Sequence, residues 1–224
     1  MMTISSIRLF FAGLVLAASP ALAQDARPPV SRSLPALVNS DPAVAPENVV
    51  QLDLSNGGRV TLRLMPEWAP VHVERVKTLV REGFYNGLNF HRVIDGFMAQ
   101  TGDPQGTGAG GSKLPDLKPE FNSMPHLRGT LSMARTDQPD TANSQFFIVF
   151  YPRFALDRKY TVFGRVIGGM DAVDRIERGE PPEKPTKILR ASLATDNRPP
   201  PVAAAPVAAP TAITADQLSN SKSN

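Results

Sequence analysis

The sequence predicts a mainly β protein, antiparallel and carrying two helices, and three observations lead to that class. Apolar and polar residues alternate at Val50, Leu52 and Leu54 and again at Val60, Leu62 and Leu64. Helical spacing is confined to two short stretches, Val73, Val76, Leu79 and Val80, then Met170, Val173 and Ile176. Elsewhere the chain is punctuated by its 16 Gly and 22 Pro, which favour turns between short strands over long helices.

The two alternating runs form a hairpin. Strand side chains point to opposite faces in turn, so a period of two marks one buried face. Asn56-Gly57-Gly58 lies between the runs and tolerates the positive φ of a tight turn. Pro70 suits the first turn of a helix, whose apolar face is Val73, Val76, Leu79 and Val80, and Gly83 stops it. The second helical stretch ends before Gly179. The apolar segments 146–150 and 160–167 read as further strands. Closure of such a sheet into a barrel would remove its edges, but periodicity does not specify closure.

Both ends differ in character from this domain. Arg8 precedes an apolar run over 9–18, and Ala21-Leu22-Ala23 offers a small-x-small cleavage site, so residues 1–23 are expected to be a secretory signal peptide. The run is shorter than the roughly 20 apolar residues that cross a bilayer. The mature chain would start at Gln24 and be periplasmic, with no membrane span after cleavage. Residues 24–46 form a Pro-rich linker, 47–197 the folded domain, and 198–224 a Pro/Ala-rich tail whose composition predicts disorder.

Composition narrows the function classes. There is no cysteine, which excludes a disulfide framework, a thiol nucleophile and a lipid-anchored cysteine. The 24 Lys and Arg are balanced by 21 Asp and Glu and are interspersed with them, so no basic stripe points to nucleic acid. No extended apolar surface pattern argues against a monomer. The histidines, His72, His91 and His126, have no metal-site spacing.

Three dense stretches carry the chemistry. The first is 90–103, from Phe90-His91-Arg92 to Gly102-Asp103. Alternation places Arg92 on the side of Phe90, and an arginine among apolar residues is uncommon unless its charge is used; pairing with Asp95 or Asp103 at the surface is an equal alternative. The second is Leu131-Ser132-Met133-Ala134-Arg135 and the third Asn143-Ser144-Gln145-Phe146-Phe147-Ile148. Phe146 reads as strand core.

Together with Gly96-Phe97-Met98, Gln100, Gly106-Thr107-Gly108, Leu156-Asp157 and Val162-Phe163-Gly164, these stretches resemble the cyclophilins, in family order, over about residues 48–195. The resemblance implies a closed eight-stranded antiparallel β-barrel capped by two α-helices, near 70–82 and 169–178. It implies isomerisation of Xaa-Pro bonds in proline-containing peptides and unfolded proteins, with neither metal nor organic cofactor. It assigns the catalytic role to Arg92. Substrate binding falls to Phe97, Met98, Gln100, Ala134, Arg135, Gln145, Phe147, Leu156 and Tyr160.

Arginine suits the reaction. An amide resists rotation by about 18–20 kcal/mol because its nitrogen lone pair is delocalised. At the twisted transition state that lone pair returns to nitrogen, and a donor aimed there binds the transition state more strongly than the ground state. No proton transfer is needed. A pure binding module lacks a use for Arg92, and a hydrolase lacks a legible nucleophile and base.

The chain departs from the resemblance at three places. Arg135 stands where many members have Asn, Tyr160 where eukaryotic members have His, and Ala155 where they have Trp, with Phe154 one position away. That Trp helps hold the family's inhibitor, cyclosporin. Among the remaining candidates, His91 reads as structural support, His72 and His126 as solvated, Trp68 as a packing residue, and Asp103 as a turn former.

Overall fold

The structure, a computed structural model, describes residues 37–199. The expected signal peptide, the linker before residue 37 and the tail beyond 199 lie outside them. Eight strands form one antiparallel sheet: β1 (Val49–Leu54), β2 (Arg59–Leu64), β3 (Arg92–Ile94), β4 (Met98–Thr101), β5 (Thr130–Met133), β6 (Phe146–Val149), β7 (Val162–Gly168) and β8 (Ile188–Leu193). Their order across the sheet is β3-β4-β6-β5-β7-β2-β1-β8. Two helices, α1 (Pro70–Arg81) and α2 (Met170–Asp174), complete the fold.

The β1–β2 hairpin follows its sequence pattern. Val50, Leu52, Leu54, Val60, Leu62 and Leu64 are all buried in the main core. The outer face is not simply solvated, because Asp53 is buried there between Arg59 (2.7 Å) and Arg190 (2.7 Å). The guanidinium of Arg63, also buried, donates to four main-chain carbonyls, of Asn39, Asp41, Val44 and Ala45, at 2.5–3.1 Å. It thereby straps the segment before the 3₁₀ turn Pro46–Asn48 onto the sheet.

Helix α1 buries Val73, Val76, Leu79 and Val80, the predicted face. Gly83, at φ 70°, ends it: the Phe84 N–H bonds Leu79 O (2.9 Å) and the Gly83 N–H bonds Val80 O (3.0 Å), which satisfies carbonyls the helix leaves open. At the other end the Glu120 carboxylate accepts from the N–H groups of Val71 and His72 and from His72 Nδ1 (2.6 Å). An anion at a helix N-terminus is favourable. His72 is therefore fully buried, not solvated as its sequence context suggests, and so is His126.

Two further expectations are corrected. The barrel is not closed. β3 and β8 are the ends of the curled sheet and share no ladder. β3 is only three residues long, so the gap is stitched by single bonds: Gly87 N–H to Ile188 O (2.7 Å), Ile188 N–H to Leu88 O (2.8 Å) and Phe90 N–H to Thr186 O (2.9 Å). Helix α2 ends at Asp174, short of the expected 178. The following chain leaves the helix to reach β3, where Val93 and Gly179 exchange two backbone bonds of 2.8 Å each.

Candidate active site

The site lies on the sheet face opposite the main core, and the strand registers place it there. Val93, Ala99, Ile148 and Leu131 face each other across β3, β4, β6 and β5 and are buried in the core. Their neighbours form the parallel row on the other face. Arg92 is opposite Gln100, Gln100 opposite Phe147, and Phe147 opposite Ser132. Met98, two residues before Gln100, shares this face. A second apolar cluster assembles over it from Met98, Phe147 and Val149, with Ile94, Phe97, Ala134, Leu156 and Tyr160 against them.

This cluster walls a cavity of about 340 Å³. Its lining is Arg92, Phe97, Met98, Gln100, Ala134, Arg135, Phe147, Leu156 and Tyr160, so nine of the ten residues expected from the resemblance meet here. Gln145, the tenth, lines a neighbouring cavity of about 440 Å³ beside the glycine-rich loop of Gly108 and Gly110. Ala134 and Arg135 border both cavities.

The floor is aromatic. Phe147 packs edge-on against Tyr160 (6.0 Å between ring centres) and tilted against Phe97 (6.5 Å). The Arg135 guanidinium lies 4.4 Å from the Tyr160 ring centre and donates to the carbonyls of Lys159, Thr136 and Asp137. It thus braces the cavity wall. The 3₁₀ turn Phe154–Leu156 turns Leu156 inward, while Phe154 is 63% exposed and lines no part of the cavity, and neither does Ala155. Phe154 therefore does not fill the place of an indole.

Arg92 sits at the rim, half-exposed. It pairs with neither Asp95 nor Asp103: its Nε donates to Glu180 Oε2 (2.8 Å), and its Nη1 approaches Gln100 Oε1 (3.4 Å). From Gln100 the chain of bonds continues through Nε2 to Gln145 Oε1 (2.8 Å). Gln145 Nε2 then reaches the carbonyls of Gly108 (2.9 Å) and Gly110 (2.7 Å). Asp103 holds that glycine-rich loop by accepting from the N–H groups of Gln105, Thr107 and Gly108 at 2.7–2.8 Å. Burial pushes its carboxyl up, but the backbone donors outweigh burial and keep it below the usual range.

Beneath the floor lie residues to which the sequence assigned no role at the site. His126 stacks on Phe147 (6.2 Å), its Nδ1 meets Asp157 (2.8 Å) and its Nε2 meets Ser132 Oγ (3.0 Å). Serine, histidine and aspartate in this order suggest an acyl-transfer triad. The Ser132 hydroxyl, however, is fully buried and contacts Thr161 O (3.2 Å), so no substrate carbonyl can reach it. Burial lowers the His126 pKa against the pull of Asp157, which keeps the ring neutral near pH 7. The network fixes Phe147 and the Asp157 turn. His91 is buried and absent from the cavity lining, and burial lowers its pKa as well. Among the described residues no three His, Asp or Glu side chains are grouped to hold a metal.

Comparison with known proteins bears on the same residues. The family described as cyclophilin type peptidyl-prolyl cis-trans isomerase matches residues 49–193. A probable peptidyl-prolyl cis-trans isomerase of Brucella suis is 48% identical over 177 residues, covering 72% of this chain and 90% of the relative. Peptidyl-prolyl cis-trans isomerase B of Bacillus subtilis is 43% identical over 129 residues, 57% of this chain and 89% of the relative. A crystal structure of a cyclophilin from Hirschia baltica superposes with a TM-score of 0.63 at 32% identity, covering 69% of this chain and 76% of that one. A cyclophilin from Cryptosporidium parvum, solved in the presence of the dipeptide Ala-Pro, gives 0.60 at 28% identity, covering 65% and 98%.

Proposed function

The chain belongs to the cyclophilin family of peptidyl-prolyl cis-trans isomerases, and from that membership we propose how its residues carry the reaction and where it acts. The cavity over Phe147 and Met98 receives the proline ring of an extended peptide. Phe97, Leu156 and Tyr160 close around it. Arg92 presents Nη donors to the prolyl nitrogen as the amide twists, and Gln100 and Gln145 orient Arg92 and the peptide. Ala134 offers its backbone at the wall that Arg135 braces. The Ala-Pro dipeptide present with the Cryptosporidium relative supports proline-containing peptides as ligands here.

One observation carries this reading: of the two arginines at the cavity, Arg135 is tied to main-chain carbonyls and the Tyr160 ring, while Arg92 stands at the rim over an apolar floor. A site that excludes water strengthens a hydrogen bond formed within it. A guanidinium offers several donors in a fixed planar geometry. Its bonds are gained at the transition state, the condition for faster turnover.

The expected substrates are unfolded or extended chains crossing into the cell envelope. The support is the charged, apolar and small-residue pattern of residues 1–23. Arg92→Ala is expected to fold normally and lose about 10²–10³ in turnover, the usual loss for one pre-aimed donor. A protease-coupled proline-peptide assay measures this, and wild-type turnover in the folded variant would refute the role of Arg92. N-terminal mass analysis of protein from the envelope is expected to find Gln24 first. Intact Met1 on cytoplasmic protein would refute export.

A further inference from the structure

Glu180 lies outside the cavity lining, yet its carboxylate meets the catalytic arginine. The contact is set by the backbone. Val93 and Gly179 form an antiparallel bridge, which sets the preceding Arg92 opposite the following Glu180. On the far side of the bridge Arg178 reaches Asp95 (3.2 Å) and covers the Phe150 ring at 4.2 Å. Two charge pairs of opposite polarity therefore flank one bridge and hold the α2–β8 connection against β3.

Within this frame Arg92 has two of its three nitrogens engaged. Nε is held by Glu180 at 2.8 Å and Nη1 touches Gln100 at 3.4 Å, while Nη2 has no partner among the described residues. An arginine side chain has several rotatable bonds and loses its aim unless its guanidinium is gripped. We propose that Glu180 is a positioning residue: its carboxylate grips Arg92 by the Nε edge and presents the Nη groups to the cavity. The inference rests on Arg92 being the catalytic donor.

The test is a double-mutant cycle on the mature protein, with kcat and KM measured separately. Both side chains of the pair are roughly half exposed, 42% and 50%, so the grip is modest. Glu180→Ala is expected to lower kcat about fivefold with KM and the melting temperature unchanged. Glu180→Gln, which keeps an acceptor oxygen, is expected to fall between. In an Arg92→Ala background, at raised enzyme concentration, Glu180→Ala should change nothing further, because the residue acts only through Arg92. Undiminished kcat in Glu180→Ala beside an inactive Arg92→Ala would overturn this proposal alone. A fivefold loss that persists without Arg92 would also overturn it. Full activity in Arg92→Ala would instead remove the reading on which it stands.

Discussion

Arg63→Ala separates the strap before β1 from the rest of the domain. In the folded protein the Arg63 guanidinium is buried and serves four carbonyls between Asn39 and Ala45. Hydrogen bonds to a charged group contribute about 1.5–3 kcal/mol each, so four give roughly 6–12 kcal/mol gross. Ordering residues 39–45 costs about 1–2 kcal/mol per residue, or roughly 7–14 kcal/mol. The two nearly cancel, and the freed carbonyls of this exposed segment regain water. The net loss in Arg63→Ala is therefore small against either gross figure, on the order of 2 kcal/mol as for a single hydrogen bond to a charged group, and the first event is detachment of the strap. In a domain of this size that lowers the melting temperature by about 4–8 °C. Amide exchange over residues 39–45 should accelerate sharply, while isomerase activity stays at the wild-type level because Arg63 touches no part of the cavity. Arg63→Lys, with one point donor group, should fall between. Unchanged exchange over 39–45 in Arg63→Ala would refute the reasoning, as would a melting temperature within 1 °C of wild type.

The buried histidines make stability depend on pH. Burial lowers the pKa of His72, His91 and His126, so the unfolded chain binds more protons below pH 6.5. Their contribution is present in full above that pH and is lost as pH falls through the lowered folded values. Melts between pH 7.5 and 5.0 should show a falling midpoint, and a midpoint flat over that range would contradict the assignment. At Ala155, the resemblance implies weak cyclosporin inhibition, since a methyl replaces an indole. Ala155→Trp is expected to tighten the inhibitor about thirtyfold, the equivalent of about 2 kcal/mol for a Trp anchor, with turnover little altered. Titrating inhibition in both proteins checks this, and tight binding to the unaltered chain would refute it.

Local signals in the sequence determined the elements whose causes are local. The hairpin of β1 and β2 was legible because its alternation and its Asn56-Gly57-Gly58 turn are adjacent in the chain. Helix α1 was legible because Pro70, the apolar face and Gly83 lie within one stretch. The cavity residues were legible only through resemblance. Phe147 and Phe146 are consecutive aromatics, and nothing local says that one lines a pocket and the other the core. Strand register decided that, by setting Arg92, Gln100 and Phe147 in one row. Tertiary structure alone decided the rest. A period of two reports that one face is buried but not which strands meet, so the open seam between β3 and β8 could not be foreseen. Buried polar groups need partners, and here the partners are far away in sequence: Glu120 for His72, Asp157 for His126 and the carbonyls of 39–45 for Arg63; half-exposed Arg92 likewise meets distant Glu180. Long-range pairing sets where each charge rests, and it leaves no periodic trace in the chain.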